Sequence, residues 1–88
     1  MAHSLSAKKR IRQNVKRRAR NRWRKGTMRD SLKTFEQKLQ HGSPEEARAA
    51  YAEACKILDR TAGKGVIHKN MAARKKSRLN KRLKARTA

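Results

Sequence analysis

Apolar residues recur along the chain at helical spacing, and no stretch shows the alternation of apolar and polar positions expected of a half-buried β-strand. One tight stripe falls within about 60° at 100° per residue. It consists of Met28, Leu32, Phe35 and Leu39. A second stripe consists of Ala47, Tyr51, Ala54 and Leu58, widened by Ala50 and Ile57. A sparser third stripe consists of Ile67, Met71, Ala72, Leu79 and Leu83. The pattern predicts an all-α protein with three helices.

The segment from His41 to Glu46 predicts a sharp corner between the first two helices. Gly42 suits the left-handed residue that commonly follows a helix end. Ser43 can cap the next helix, with Pro44 at its first position and Glu46 completing a capping box. We therefore expect one helix to end near His41 and the next to start at Pro44.

We expect a three-helix bundle, in one domain over residues 1–88, with helices at about 5–41, 44–61 and 67–85. The first helix would be about 55 Å long at 1.5 Å per residue. An antiparallel second helix of about 18 residues covers only its C-terminal half. The N-terminal half should therefore overhang the bundle as a basic arm, at about residues 1–25.

This overhanging half carries its own apolar stripe, centred roughly 160° away from the bundle seam. The stripe consists of Ile11, Val15, Ala19 and Trp23. Trp23 could stack on a base, but as the end of a stripe we expect it to pack. Gly26 lowers helix stability by about 1 kcal/mol, and Thr27 with Asp30 resembles a capping signal. We expect a continuous helix, and any bend should fall at this point.

Charge separates the chain into three parts, and its net value is +21. Residues 1–29 hold 12 Lys and Arg and no acid, residues 30–59 hold four and all six acids, and residues 60–88 hold 11 and no acid. Two cationic segments therefore flank a nearly neutral middle. Self-repulsion at this charge opposes compaction, so the segregation points to a polyanionic partner.

Enzyme chemistry finds little support in the sequence, and we expect no catalytic residue, no metal and no cofactor. Cys55 is the only cysteine, and His3, His41 and His68 are scattered. No zinc-finger spacing exists, and no nucleophile has an evident base. One cysteine also excludes an intramolecular disulfide and favours a reducing, cytoplasmic setting. No apolar run is long enough to span a membrane.

The N-terminal cations surround most of the predicted rod, which suits insertion between phosphate backbones. Arg outnumbers Lys there, and its planar fork favours paired contacts to phosphate. The predicted RNA contacts on this arm are Lys8, Lys9, Arg10, Arg12, Lys16, Arg17, Arg20 and Arg24. Few aromatic side chains are available to read bases, so we expect RNA shape to be recognised.

Residues 59–79 read DRTAGKGVIHKNMAARKKSRL and closely resemble the signature of the S20 family of bacterial small-subunit ribosomal proteins. The run from Ser6 to Arg10 is similar to the opening motif of that family, and Met28-Arg29 to its mid-helix landmark. Length and segment order also match. Gly26 and Asp30 depart from the family pattern, which puts helix straightness in question but not function.

This resemblance implies a structural, non-enzymatic protein on the cytoplasmic ribosome, which binds small-subunit ribosomal RNA early in assembly. It implies contacts to the 5′ domain and the long penultimate helix of that RNA, few protein neighbours and no homo-oligomer. The contacts implied by matched position are Ser6, Lys8, Lys9, Arg10, Lys64, Gly65, His68, Lys69, Asn70, Arg74, Lys75, Lys76, Ser77 and Arg78.

Three alternatives remain open from the residues alone. His68 could cap the third helix instead of contacting RNA. A DNA-compacting protein would show the same charge. A membrane-active cationic helix is a weaker alternative, because it would need a continuous apolar face along the arm.

Overall fold

The computed structural model describes residues 4–87, and three α-helices account for nearly all of them. Helix α1 spans Leu5–His41, α2 spans Pro44–Gly63 and α3 spans Lys69–Thr87. No strand occurs within these residues. The predicted all-α architecture with a long first helix is confirmed, although α2 ends two residues later than predicted and α3 is displaced by two residues.

Helix α1 begins where a side chain can satisfy its free N–H groups. The hydroxyl of Ser4 accepts a hydrogen bond from the backbone N–H of Ala7 at 3.1 Å, which is the usual N-cap interaction. The helix then runs unbroken through Gly26. The Thr27 hydroxyl donates to the carbonyl of Trp23 at 3.1 Å, inside the helix. The suspected capping signal therefore does not interrupt α1.

The corner between α1 and α2 lies where it was predicted, but Gly42 acts differently. Its φ of −91° and ψ of 175° are extended, so the predicted left-handed conformation is wrong. A Cβ at this position would lie 2.8 Å from the carbonyl oxygen of Lys38 and 2.9 Å from Glu46. Glycine is therefore required by close approach of the chain to itself.

Ser43 caps α2 as predicted, since its hydroxyl accepts from the backbone N–H of Glu46 at 3.2 Å. The carboxylate of Glu46 lies 3.3 Å from Nζ of Lys38. Within the described part of the chain, no hydrogen bond from Glu46 returns to the Ser43 backbone. Half of the predicted capping box is therefore formed. The Glu46 carboxylate forms an ion pair with Lys38 of α1 instead of closing the box.

The core lies where α2 packs between the other two helices. Phe35 and Leu58 are fully buried at its centre, and the rings of Phe35 and Tyr51 lie 6.1 Å apart in a tilted arrangement. The buried apolar residues are Met28, Phe35, Leu39, Ala47, Ala54, Leu58, Ile67, Ala72, Leu79 and Leu83. Met71, which belongs to the third stripe, is 43% exposed and lies outside this core.

Side-chain contacts join the C-terminal end of α1 to the C-terminal end of α3. Arg82 forms an ion pair with Glu36, and Nε of Arg86 donates to the carbonyl of Leu39 at 2.9 Å. These contacts place α3 roughly parallel to α1, with its end beside the corner that follows Leu39.

The N-terminal part of α1 projects beyond the bundle, as the helix lengths predicted. The molecule measures 62 × 22 × 16 Å, and its radius of gyration is 17.5 Å, against about 12 Å for a compact chain of this length. Ile11 and Val15 are exposed along the projection. Trp23 is 69% exposed, so the expectation that it packs is wrong.

Candidate nucleic-acid interface

The projecting arm is a helical rod whose cations point in nearly every direction. Every Lys and Arg from Lys8 to Arg22 is exposed, whereas Arg24 is half-buried where the arm meets the bundle. Successive helical residues are about 100° apart, so a polyanion can contact this rod from several sides at once. No acidic residue lies on the arm to offset these charges.

The face of α1 that packs on α2 changes character where α2 ends. Continued towards the N-terminus at spacings of three and four, the positions occupied by Met28 and Phe35 become polar or cationic. They are Arg10, Asn14, Arg17, Asn21 and Arg24. The face of α1 that packs against α2 in the bundle therefore carries polar and cationic side chains on the arm, and these can bind phosphate.

The turn between α2 and α3 lies at the base of the arm and includes Lys64 and Gly65. Gly65 has a φ of +75°, a left-handed conformation that favours glycine. Its N–H donates to the carbonyl of Ala62 at 3.0 Å, and the N–H of Lys64 donates to that of Arg60 at 3.0 Å. Gly65 therefore shapes the turn, while Lys64 is exposed beside it.

His68 supports the start of α3 through its ring and its backbone. Its Nδ1 accepts from the backbone N–H of Asn70 at 3.0 Å, and its carbonyl accepts from Met71 and Ala72. This is the structural role that the sequence left open. The ring is nonetheless exposed, and in the neutral imidazole with Nδ1 accepting, Nε2 carries the proton. Nε2–H is therefore available to a phosphate oxygen.

The outer face of α3 carries most of the predicted contacts of the C-terminal segment. Lys69, Asn70, Arg74, Ser77 and Arg78 are all exposed. Lys81 and Lys84 are exposed as well and belong to the same face at spacings of three and four. The predicted site omitted these two residues, although continuing the helical period beyond Arg78 would have included them.

Lys75 and Lys76 differ from the other predicted contacts because both are half-buried along the edges of the core face. Nζ of Lys76 lies 2.8 Å from Oδ1 of Asp59 on α2. The hydrogen bond from Asp59 raises the pKa of the Lys76 ammonium, partly offset by loss of hydration. Lys76 is therefore already paired within the protein, which separates it from the freely exposed cations.

Half of the six acids are paired with cations of the protein itself. Glu36, Glu46 and Asp59 each form an ion pair with a lysine or arginine of another helix or the opposite side of the corner. The outer surfaces of the arm and of α3 carry no acidic side chain. A polyanion therefore meets two cationic surfaces without like-charge repulsion.

Two further findings limit the chemistry of the described residues. Within 4–87, no three His, Cys, Asp or Glu side chains cluster so that they could hold a metal ion. None of the helices in that range is both long enough and apolar enough to cross a membrane.

Comparison with known proteins identifies the family. The family model described as ribosomal protein S20 matches residues 2–84. A small ribosomal subunit protein bS20 from Saccharophagus degradans is 52% identical over 88 residues, covering all of both chains. The bS20 of Halothermothrix orenii is 54% identical over 76 residues, covering 86% of this chain and 87% of its own. That of Shouchella clausii is 48% identical over the full length of both.

These matches span the cationic arm, the bundle and the basic face of α3 together. They confirm the family that the signature around Gly63 and His68 indicated. The chain belongs to the ribosomal protein S20 family, and it is a structural constituent of the small ribosomal subunit and not an enzyme.

Proposed function

We propose that this protein binds small-subunit ribosomal RNA directly through two separate cationic surfaces and thereby helps that RNA to fold. The first is the arm, from Ser6 to Arg24, and the second runs from Lys64 at the turn along the outer face of α3. The observation that carries the proposal is the exposed arm, which carries cations on all sides and, among residues 4–87, packs against no other helix over most of its length.

The arm supports contact with more than one RNA backbone at a time. Its tip near Lys8 lies about 24 Å from Arg24 along the helix axis, well beyond the end of α2. RNA can therefore reach the rod from opposite sides, so we propose that it inserts between backbones. Nine residues form the arm part of the site, namely Ser6, Lys8, Lys9, Arg10, Arg12, Lys16, Arg17, Arg20 and Arg24.

The second surface supports contact with a different RNA element. Lys64, His68, Lys69, Asn70, Arg74, Ser77 and Arg78 are exposed along the turn and α3. Lys75 and Lys76 lie at its edge, and Gly65 sets the turn. From the family resemblance, we propose the 5′ domain and the long penultimate helix as the two RNA elements. The charge of +21 disfavours contact with a second copy, so the protein acts as one monomeric RNA-binding unit over residues 1–88.

Footprinting on naked small-subunit RNA tests the two-surface proposal. We expect protection in two regions, with the arm variant K8Q/K9Q/R10Q losing one region and R74Q/R78Q losing the other. The variant K33Q/R48Q/K56Q is a matched control because it removes three exposed charges from the middle of the chain. Equal loss of protection in all three variants would contradict separate surfaces.

Salt dependence and competition test the nature of the partner. If about eight phosphates are neutralised, log K should fall against log salt with a slope of about −6 to −7. The arm variant should lower the magnitude of this slope by about two units, and the middle variant should leave it unchanged. If duplex DNA displaces the protein from small-subunit RNA as well as that RNA itself does, the protein is a general polyanion binder.

A further inference from the structure

An open groove lies at the junction of the arm and the bundle, where Arg24 of the arm and Lys64 of the second cationic surface both line it. Its volume is about 540 Å³, within the range of about 300–1,000 Å³ that is typical of small-molecule pockets. Trp23 and Thr27 of α1 form one wall, and Ile57 and Thr61 of α2 form the other side.

The groove combines one aromatic surface with three cations. The indole of Trp23 is 69% exposed and leaves an apolar face uncovered. Arg24, Arg60 and Lys64 also line the groove, and they come from α1, the end of α2 and the turn respectively. Arg24 follows Trp23 directly in the sequence, whereas Arg60 and Lys64 reach the indole only because α2 packs on α1.

Negative charge is kept away from the groove. None of its lining residues is acidic, and Asp59, which precedes Arg60, is paired with Lys76 on the α3 side. The free carbonyls at the end of α2 would otherwise present partial negative charge. Those of Arg60, Thr61 and Ala62 accept hydrogen bonds from Lys64, Val66 and Gly65 respectively. The site is therefore cationic, with one apolar aromatic plate.

We propose that this groove binds one unpaired nucleotide of RNA, with its base stacked on Trp23 and its phosphate held by Arg24, Arg60 and Lys64. The site rests on the proposed RNA binding and deepens it, because it adds a stacking contact to a partner otherwise recognised by shape. Stacking on an aromatic side chain is tolerant of base identity. The Thr27 hydroxyl donates its proton to the Trp23 carbonyl within α1, so that proton is not available to a base edge.

The three cations of the groove favour a nucleotide over other ligands that could cover an exposed indole. An apolar protein segment or a lipid tail would bury the indole but would leave three cations beside it without counter-ions. An unpaired nucleotide supplies a flat base and a phosphate within one residue. Duplex RNA supplies the phosphate alone, because its bases remain stacked within the helix.

Trp23 is the only tryptophan of the chain, so its fluorescence reports on this groove alone. We expect its emission to be quenched when the full-length protein binds naked small-subunit RNA, or a short RNA duplex carrying one unpaired purine. The same duplex without the unpaired purine should bind with little quenching. Equal emission changes with both duplexes, or none with any RNA, would overturn the proposal.

Affinity provides the second readout. Trp23→Ala should weaken binding to small-subunit RNA by about 5- to 150-fold, as expected for loss of one stacked base. Trp23→Phe, which keeps an aromatic face, should recover most of the affinity. Val15→Ala is the control, because it lies on the same exposed stripe but outside the groove, and it should change affinity by no more than about twofold.

These measurements separate the groove from RNA binding as a whole. If wild-type protein shows no salt-dependent binding to small-subunit RNA, the proposed function fails. If it binds, but Trp23→Ala binds equally well, only the nucleotide site fails. If Trp23→Ala keeps full RNA affinity but is incorporated poorly into assembled subunits, the groove is a protein contact and the nucleotide proposal is wrong.

Discussion

Nζ of Lys76 lies 2.8 Å from Oδ1 of Asp59, so a lysine within the basic signature of α3 is held by an acid of α2. The pair has two consequences. It joins two helices at the edge of the core, and it withholds one cation from the proposed RNA-binding surface. Lys76 therefore differs from Arg74 and Arg78, which are exposed on either side of it in sequence.

Replacing Asp59 should release Lys76 to RNA. We expect Asp59→Asn to steepen the slope of log K against log salt by about 0.7–0.9, the value of one added phosphate contact. Glu53→Gln is the control, because it removes the same charge from an exposed position of α2, and it should leave the slope unchanged. A similar increase in both variants would show that net charge, and not Lys76, determines the change.

The same pair predicts a pH dependence. The hydrogen bond to Asp59 raises the pKa of Lys76 above its ordinary value of 10.5. The stabilisation is therefore fully present below pH 10.5 and is lost as the pH rises through the raised pKa. We expect the stability difference between wild type and Asp59→Asn to narrow above pH 10.5 in chemical denaturation. Titration of Lys76 followed by NMR should show a lower midpoint in the variant.

The two glycines of α1 and its corner should respond in opposite directions to alanine. At Gly26 an added Cβ meets nothing within 4 Å, so Gly26→Ala should raise the free energy of unfolding by about 0.4–1 kcal/mol. At Gly42 the Cβ would lie 2.8 Å from a backbone oxygen, and Gly42→Ala should lower it by about 1–3 kcal/mol. Thermal unfolding of both variants checks the pair, and stabilisation by Gly42→Ala would refute the close approach.

Substitutions in the core and on the arm should differ in their effect on the free energy of unfolding. Phe35 is fully buried, so Phe35→Ala should destabilise the bundle by about 3–5 kcal/mol. Val15 is 61% exposed, and Val15→Ala should change stability by no more than about 0.5 kcal/mol. Circular dichroism during thermal unfolding measures both. Comparable losses would mean that the arm packs against protein.

The arm should gain order when RNA binds. Without tertiary contacts, its helix depends on intrinsic propensity, and short isolated helices are marginal in water. We expect amides of residues 5–20 to exchange rapidly in free protein and to become protected on small-subunit RNA, while Phe35 and Leu58 are protected in both states. Equal protection of the arm with and without RNA would contradict ordering by RNA.

Much of the fold follows from local patterns in the sequence. Helix period, the Ser43-Pro44 start and helix lengths correctly predicted three helices and an overhanging arm. Gly42 was predicted at the right corner with the wrong conformation, because its role depends on the approach of Lys38 and Glu46. Trp23 was predicted to pack, but a stripe shows only which residues share a face, not whether another helix covers that face.

The proposed RNA-binding site also has some features that the sequence predicted and others that only the packing of the helices determines. Charge segregation pointed to a polyanionic partner, and the signature between residues 59 and 79 indicated which family the chain belongs to, since composition and motif are properties of sequence alone. Only the tertiary structure decided that Asp59 holds Lys76 and that Trp23 lines one groove with Arg60 and Lys64. These pairings join residues of different helices, and their distances depend on how the helices pack.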